Sequence, residues 1–185
     1  MEITGSDLPA VYQKRFWGPL GLTHSLASPG DGPPTDIAHG WYELQGAGYE
    51  DFSSWPRTAF ASGIGGEVWT TAEDLARWSR ALLIDKTVIS RALLDQMLTF
   101  YSPCTGEEFF CAGYGLGVVH FNPDLVNGEV ALGHSGNAPG YAATGLCLPD
   151  LGVCMGVMDN TEDGEAIGSC VTNLIAVISS WLKGE

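Results

Sequence analysis

The sequence predicts an α+β fold, in which helices flank a sheet of antiparallel strands. Residues 70–83 carry an apolar stripe of helical period, and residues 114–160 contain four short runs rich in apolar and β-branched residues. A long apolar stretch of helical period then closes the chain. Helices followed by a strand meander and a closing helix are typical of α+β proteins.

The composition indicates a globular protein and argues against some classes of partner. The chain has 185 residues, the size of one domain, and a hydrophobic content of 45%, which is enough to form a core. Asp and Glu outnumber Lys and Arg by 22 to 8, which gives a net charge of −14. Nucleic acids and anionic lipid surfaces would be repelled. We therefore expect one domain over residues 1–185 and no nucleic-acid partner.

The first helix is predicted in "SDLPAVYQKRFWGPLGL". Ser6 or Asp7 would be its N-cap, and Gly18–Pro19 would end it. Residues 27–62 then show no clear period and are rich in Gly, Pro and isolated aromatic residues. This composition predicts a long ordered loop, of the kind that often lines a functional site.

Two further helices are predicted before the strands. Thr71 and Asp74 have the spacing of a capping-box variant at the start of the first one. The second helix is expected to begin at Ser90. The apolar positions expected to face the core are Leu75, Trp78 and Leu82 in the first helix and Leu93, Leu94, Met97 and Leu98 in the second.

Four strands and a closing helix are predicted for the rest of the chain. The runs "YGLGVVHF", "EVALGH", "YAATGLCL" and "VCMGVMDN" are separated by turn signals and indicate successive antiparallel strands. The closing helix is expected from about Gly164 to Lys183. Its apolar part, residues 166–181, is short for a membrane span and is interrupted by Ser, Thr and Asn, so a buried amphipathic helix without a membrane span is expected. The opening "MEITGSDLPA" has no feature of a secretory signal.

Four of the five cysteines form two pairs with equal spacing. Cys104 and Cys111 make one pair, and Cys147 and Cys154 make the other. The second pair brackets "LPDLGV", a predicted tight turn between strands that would place its two cysteines opposite each other, so both pairs are candidate disulfides. The spacing is not that of a zinc site and the histidines do not cluster with the cysteines, so neither a metal nor another cofactor is predicted. Cys170 is expected in the core.

The stretch "GHSGNAPGY" invites a serine-hydrolase interpretation. A nucleophile elbow would need Gly where Asn137 stands, so Ser135 is expected to be a supporting hydroxyl. The only Ser-x-x-Lys pattern in the sequence is Ser180 with Lys183, at the end of the closing helix. Activation of a serine requires a fixed and partly desolvated lysine, so this pair is not expected to be catalytic.

The same stretch has the features of a substrate-binding strand. His134, Ser135 and Gly136 would lie along one strand, and Gly136 would let a ligand lie close to the backbone. The N–H of Asn137 would then point at a developing negative charge. The simpler alternative, that His134 is an ordinary strand histidine bonded to a neighbour, stays open.

Several stretches, in order, resemble one known family. "EITGSDLPAVYQKRFWGPLGLTHS" is similar to that family's helix and following Pro-Leu-Gly-Met turn, and "IAHGWY" with "ASGIGGEVWTTAEDLARWSRALL" resembles its Gly-Gly loop and Thr-Ala-x-Asp-Leu helix. "YGLGV", "GHSGNAPGY" and "GVMDN" are similar to its sheet, with His-Ser-Gly in place of its Lys-Thr-Gly or His-x-Gly motif. The family is that of the serine β-lactamases and penicillin-binding-protein-like enzymes, which includes D-aminopeptidases, carboxypeptidases and esterases.

The resemblance implies a β-lactamase-like fold and an acyl-transfer function. Members hydrolyse D-amino-acid peptides, esters or β-lactams, and their Ser-x-x-Lys and Tyr-x-Asn motifs precede the helix with which this sequence begins. No tyrosine here has Asn two residues on; Tyr101, for example, is followed by Ser102 and Pro103. Only the third motif carries over, onto residues 134–136, with the Asn137 amide as the implied oxyanion donor. We therefore expect the C-terminal part of such a domain, which would be a poor hydrolase without the nucleophile and its base.

Within the resemblance, His134 in place of Lys favours the peptidase and esterase members, because a fixed positive charge for a substrate carboxylate is missing. Trp41, Trp55 and Trp69 lie in or beside the long loop and are candidates for the walls of an apolar acyl pocket, although most tryptophans belong to cores. The family usually works outside the cytoplasm, and the paired cysteines fit a periplasmic or secreted protein.

Three alternatives follow for the function. The chain is the C-terminal part of one longer hydrolase, or it assembles with a separately encoded N-terminal half that carries the nucleophile. The third is a non-catalytic module that binds a peptide or another partner along its sheet edge. In the first two, the ligand is a small-molecule or peptide acyl substrate.

Overall fold

A five-stranded antiparallel sheet forms the centre of the structure, and helices pack on both of its faces. This computed structural model describes residues 5–27, 36–44, 46–53, 68–100, 104, 110–161 and 163–184. The strands of the sheet follow one another in chain order: β5 (Cys111–Tyr114), β6 (Val119–Phe121), β7 (Leu132–Ala138), β8 (Tyr141–Leu148) and β9 (Val153–Asp159). The prediction of an α+β meander is confirmed.

The N-terminal helix runs further than predicted. It consists of α1 (Leu8–Tyr12), a π-helical segment (Gln13–Trp17) and α2 (Gly18–Leu20). Asp7 is the N-cap, and its carboxylate accepts a hydrogen bond from the N–H of Ala10. The expected end at Gly18 and Pro19 is wrong, because proline is tolerated in the first turn of α2, where its missing N–H is not needed. The helix ends instead at Gly21, which has a φ of 66°.

Helices α3 (Ala72–Leu83) and α4 (Arg91–Met97) confirm the two internal helices. The Thr71 hydroxyl accepts a hydrogen bond from the N–H of Asp74 and caps α3, and Ser90 caps α4 in the same way. Leu94 is only 1% exposed, but Leu93 is 54% exposed, so its expected inward position is wrong. The reason is that α4 has two turns and buries one narrow stripe, which the neighbouring Leu93 does not share.

Four short strands lie before the main sheet. Strand β1 (Leu26–Ala27) pairs with β4 (Val68–Trp69), and β2 (Trp41–Glu43) pairs with β3 (Tyr49–Asp51). The predicted loop therefore contains a hairpin, which the sequence does not reveal because three residues are too few for a period.

Two of the predicted strands have different bounds in the structure. The stretch "YGLGVVHF" is not one strand but contains the end of β5, a turn and β6, since Gly117 has a φ of 75° that breaks the pairing. The strand expected at "EVALGH" begins later and continues through the whole "LGHSGNA" stretch as β7. The motif therefore lies within a strand rather than at its start.

The two faces of the sheet pack against different helices. Helix α5 (Gly164–Lys183) covers one face, where Val171 and Ile175 join Leu146 and Met155 in the largest buried cluster. Helices α3 and α4 cover the other face. The predicted closing helix is confirmed, with the bounds that the sequence indicates.

Helix α3 lies so close to the sheet that glycine is required beneath it. Gly145 and Gly156 are cross-strand partners on β8 and β9. A Cβ at Gly156 would overlap the carbonyl oxygen of Ala72, and one at Gly145 would lie 2.8 Å from the side chain of Leu75. The backbone of α3 therefore packs directly on the two strands that continue from the candidate motif.

The structure contains both candidate disulfides. Cys104 is bonded to Cys111, and Cys147 is bonded to Cys154, its partner in the β8–β9 register. The turn between these strands is the predicted one, a single 3₁₀ turn closed by a glycine. Cys170 is exposed, so its expected burial is wrong. The buried stripe of α5 passes along the neighbouring positions and leaves Cys170 outside it.

Helix α5 is long and apolar enough to cross a membrane by length and composition alone. Residues 166–182 contain no charged side chain. In the structure, four of its residues are buried against the sheet: Ile167, Val171, Ile175 and Ser179.

Replacing Gly156 by alanine should destabilise the fold by about 1–3 kcal/mol, because the new methyl group overlaps the backbone of α3. Chemical denaturation of the purified chain measures the change. Gly168→Ala is the matched control, since Gly168 lies on α5 with open space around it and should gain roughly 0.5–1 kcal/mol. Equal stability of the Gly156→Ala variant and the wild type would contradict the close packing.

Candidate active-site strand

Strand β7 has a neighbour along its full length on one side only. It pairs with β8 from Leu132↔Cys147 to Ala138↔Tyr141. Its pairing with β6 stops at Gly133. From His134 onward, β7 therefore has an open edge among the residues that the structure describes.

The register directs the amide of Asn137 toward this open edge. Ala138 and Tyr141 flank the two-residue turn Pro139–Gly140, and such a closing pair is hydrogen-bonded. Backbone groups alternate in direction along a strand, so those of Ser135 and Asn137 point away from β8.

An independent contact supports this alternation. On the β6 side, the N–H of Phe121 donates a hydrogen bond to the carbonyl oxygen of Ala131 at 3.0 Å. Ala131 lies an even number of residues before Ser135 and Asn137, so all three direct their backbone groups to the same side. The N–H groups of Ser135 and Asn137 therefore point to the open edge.

The side chains of the motif have different surroundings. The ring of His134 is exposed, and its Nε2 lies 2.8 Å from the hydroxyl oxygen of Tyr114. The Oγ of Ser135 is half-buried and hydrogen-bonds to the Oγ1 of buried Thr144 at 3.0 Å. A Cβ at Gly136 would meet no protein atom within 4 Å, which leaves space over the strand.

The loop that carries β2 and β3 is tied to the end of β8. The hydroxyl of Tyr141 donates to the carbonyl oxygen of Ala38 at 2.8 Å, and burial raises the pKa of this hydroxyl. Gly40 lies against the Tyr141 ring, where a Cβ would overlap it.

An exposed carboxylate organises the same loop. The Oδ1 of Asp51 accepts from the Ser53 hydroxyl at 2.5 Å, and its Oδ2 lies 2.6 Å from the Nδ1 of His39. The hydrogen bond from Ser53 and then that from His39 lower the pKa of Asp51 from its ordinary 3.8 to about 2. The Ser53 oxygen also accepts from the N–H of Gly40 at 2.9 Å.

Two of the three candidate tryptophans lie near the end of the sheet where β7 turns into β8. The Trp69 ring packs edge-on against Tyr141, with centroids 5.4 Å apart. The N–H of Trp41 donates to the carbonyl oxygen of Asn160, just after β9, at 2.8 Å. Trp55 lies outside the described residues. A role for these rings as pocket walls stays a prediction.

The one Ser-x-x-Lys pattern has a structural role in the fold. The Nζ of Lys183 contacts the Oε1 of Glu129 at 2.5 Å, and the Glu129 side chain is buried. The lysine thus neutralises a buried carboxylate. In the parts of the chain that the structure describes, no group of three or more His, Cys, Asp and Glu residues could hold a metal ion.

Sequence reasoning missed the two side chains that contact the motif. Tyr114 lies on β5, two strands away, and Thr144 lies on β8. Tyr114 belongs to the stretch "YGLGV", whose sequence indicates a strand but no contact with His134. No local pattern gives the register that brings it to His134.

The antiparallel sheet with helices on both faces, and the motif strand at its open edge, define the β-lactamase-like fold. The family model described as Beta-lactamase matches residues 2–170. The chain belongs to the β-lactamase family.

Solved structures share the fold at low identity. D-amino acid amidase from Ochrobactrum anthropi SV3, complexed with L-phenylalanine, has a TM-score of 0.81 and 17% identity over 99% of this chain and 55% of its own. D-stereospecific amidohydrolase from a Streptomyces species has a TM-score of 0.72 and 22% identity, over 87% of this chain and 46% of its own. The octameric penicillin-binding protein homologue from Pyrococcus abyssi has a TM-score of 0.70 and 22% identity, over 93% of this chain and 38% of its own. The chain thus spans about half the length of these structures or less, and no curated protein matches it.

Replacing Asp51 by asparagine should reduce stability above about pH 4 and have less effect as the pH falls toward about 2. The folded state lowers the pKa of Asp51, so the unfolded state binds more protons in this window and the stabilisation is lost as the pH falls through about 2. Urea denaturation at several pH values measures the difference between variant and wild type. Asp150→Asn, in the exposed turn before β9, controls for the loss of one negative charge. A difference that does not change with pH would contradict the assignment.

Proposed function

We propose that this chain forms the substrate-binding half of a serine hydrolase that cleaves acyl bonds in D-amino-acid peptides, amides or esters, with β-lactams as a further substrate class. The observation that carries the proposal is the open edge of β7, where the His-Ser-Gly motif and the Asn137 amide are accessible to a ligand. Membership of the β-lactamase family supports it. One of the solved relatives is named as a D-stereospecific amidohydrolase and another as a D-amino acid amidase.

The Asn137 amide acts as an oxyanion donor in this proposal. A tetrahedral intermediate of acyl transfer develops negative charge on the former carbonyl oxygen, and a fixed N–H stabilises it without reorganisation. The edge amide of Asn137 is fixed by seven pairs of the β7–β8 register. The backbone groups of Ser135 lie on the same side as the Asn137 amide, so the edge can pair with an extended substrate.

The nucleophile and its base come from polypeptide outside these 185 residues. The sequence contains no Tyr-x-Asn, and its one Ser-x-x-Lys has the lysine bound to Glu129. In hydrolases of this kind the nucleophile and base act as a unit, and loss of either removes most of the rate enhancement. The chain alone is therefore a poor hydrolase.

Two exposed surfaces are evidence that a second half of the fold packs on this chain. That half comes either from the same longer chain or from a separate one. Strand β9 is the last strand of the sheet and has an unpaired edge among the described residues. Helix α5 exposes an uncharged apolar stripe at helical spacing: Cys170, Leu174, Val177 and Trp181. Val177 is 68% exposed and Trp181 is 78% exposed, which is unusual for a surface that faces water. A membrane is the alternative cover for this face.

A non-catalytic binding module is the second candidate function. The same open edge of β7 offers alternating N–H and C=O groups to an added peptide strand. This function is distinguished from that of a half-enzyme if the chain binds a peptide without turnover and gains no hydrolytic activity when it is mixed with a half that carries a nucleophile. Two disulfides support an extracytoplasmic location in either case.

The central test compares the chain alone with the chain joined to the polypeptide encoded upstream of Met1. Alone, it should hydrolyse D-phenylalanine amide, a chromogenic ester and a chromogenic cephalosporin no faster than buffer. Joined or mixed with the upstream polypeptide, it should turn over at least one of them. Turnover by the chain alone that is lost on changing one of its own serines would refute the proposal.

Within the active assembly, Asn137→Pro should lower kcat by roughly 10²–10³, because it removes one oxyanion donor. Proline is compatible with this position since the N–H faces an open edge. Asn137→Ala keeps the amide and is the matched control, with a far smaller loss. Equal losses of kcat in the two variants would mean that the Asn137 side chain, and not its backbone N–H, is required for catalysis.

A further inference from the structure

Tyr114 and His134 form a side-chain pair at the open edge of β7. The hydroxyl oxygen of Tyr114 lies 2.8 Å from the Nε2 of His134, and the two rings meet edge to face at 82°. On its other side, the Nδ1 of His134 lies 2.5 Å from the carbonyl oxygen of Ser135. Both rings are exposed, so the pair is accessible from solvent.

These two contacts assign the protons. A carbonyl oxygen only accepts hydrogen bonds, so the Nδ1 of His134 must carry the hydrogen that bonds to Ser135. In the neutral imidazole the Nε2 then has a lone pair and no hydrogen. The Tyr114 hydroxyl must therefore donate to Nε2.

The assignment leaves the side-chain pair with an acceptor and no donor for a ligand, while the donors on this edge are the backbone N–H groups of Ser135 and Asn137. Both nitrogens of His134 are occupied, and the Tyr114 hydroxyl has used its one hydrogen. Among the residues that the structure describes, none donates to the Tyr114 oxygen, so its lone pairs can accept a hydrogen bond from a ligand. A substrate carboxylate brings only acceptors and cannot bond to this pair, whereas an ammonium or amide N–H can. The net charge of −14 also favours a cationic ligand.

We propose that Tyr114 is a positioning residue that holds His134 in the Nδ1–H tautomer, and that the pair selects substrates with an N–H donor, such as an amino-acid amide, over substrates with a carboxylate. The choice of substrate rests on the proposed function. The tautomer does not, because it follows from the contacts of this chain alone.

The tautomer is tested on the purified chain by two-bond ¹H–¹⁵N correlation of its histidine rings at about pH 8, where imidazole is neutral. A His134→Gln variant identifies the His134 signals among the four histidines. The wild type should show hydrogen on Nδ1, and Tyr114→Phe should shift the ring toward the Nε2–H form. Tyr49→Phe is the matched control, since Tyr49 is exposed on β3 and should leave His134 unchanged.

A wild-type ring with hydrogen on Nε2 would overturn the assignment, and so would a Tyr114→Phe spectrum identical to that of the wild type. The first outcome needs the assignment of the His134 signals but not the folding of the Tyr114→Phe variant. Neither spectrum requires catalysis, so a wrong tautomer assignment can be distinguished from a failure of the proposed hydrolase function.

The selection is tested by titrating phenylalanine amide and 3-phenylpropanoate into the same sample. Phenylalanine amide has N–H donors and no carboxylate, and 3-phenylpropanoate has a carboxylate and no N–H group. The amide should shift the His134 signals, and Tyr114→Phe should weaken that binding about tenfold, the usual effect of one hydrogen bond. No shift with the amide, or a larger shift with 3-phenylpropanoate, would overturn the selection.

Discussion

The register between β7 and β8 is the constraint on which the candidate site depends. It is set by the turn Pro139–Gly140, where Gly140 has a φ of 80°, as the third position of a type II turn requires. A slip by one residue would turn the His134 ring to the opposite face of the sheet. It would also turn the Asn137 amide toward β8. The ring, the amide and the open edge are therefore consequences of one pairing.

The layers on either side of the sheet keep that pairing in place. Gly145 and Gly156 let α3 approach β8 and β9 to backbone contact, and the disulfide between Cys147 and Cys154 links the same two strands. Helix α5 closes the opposite face with one stripe of its side chains. Its other stripe and the edge of β9 lack cover among the described residues, which is what half of a larger fold would expose.

The sequence predicts the parts of this fold that have long local patterns. The stripe of α3 and the apolar length of α5 give their helices, and the Pro-Asp-Leu-Gly turn predicts that Cys147 faces Cys154. Strands of three residues show no periodicity, so the sequence does not predict the β2–β3 hairpin. For the site, the motif on β7 is visible in sequence but its partner Tyr114 is not, because their contact depends on the order of three strands.

Amide hydrogen exchange along β7 tests the central claim most directly. The register predicts slow exchange for His134 and Gly136, whose N–H groups bond to β8, and fast exchange for Ser135 and Asn137, whose N–H groups face the open edge. Protection of Asn137 equal to that of Gly136 would contradict the account, because the amide would then be unavailable to any substrate.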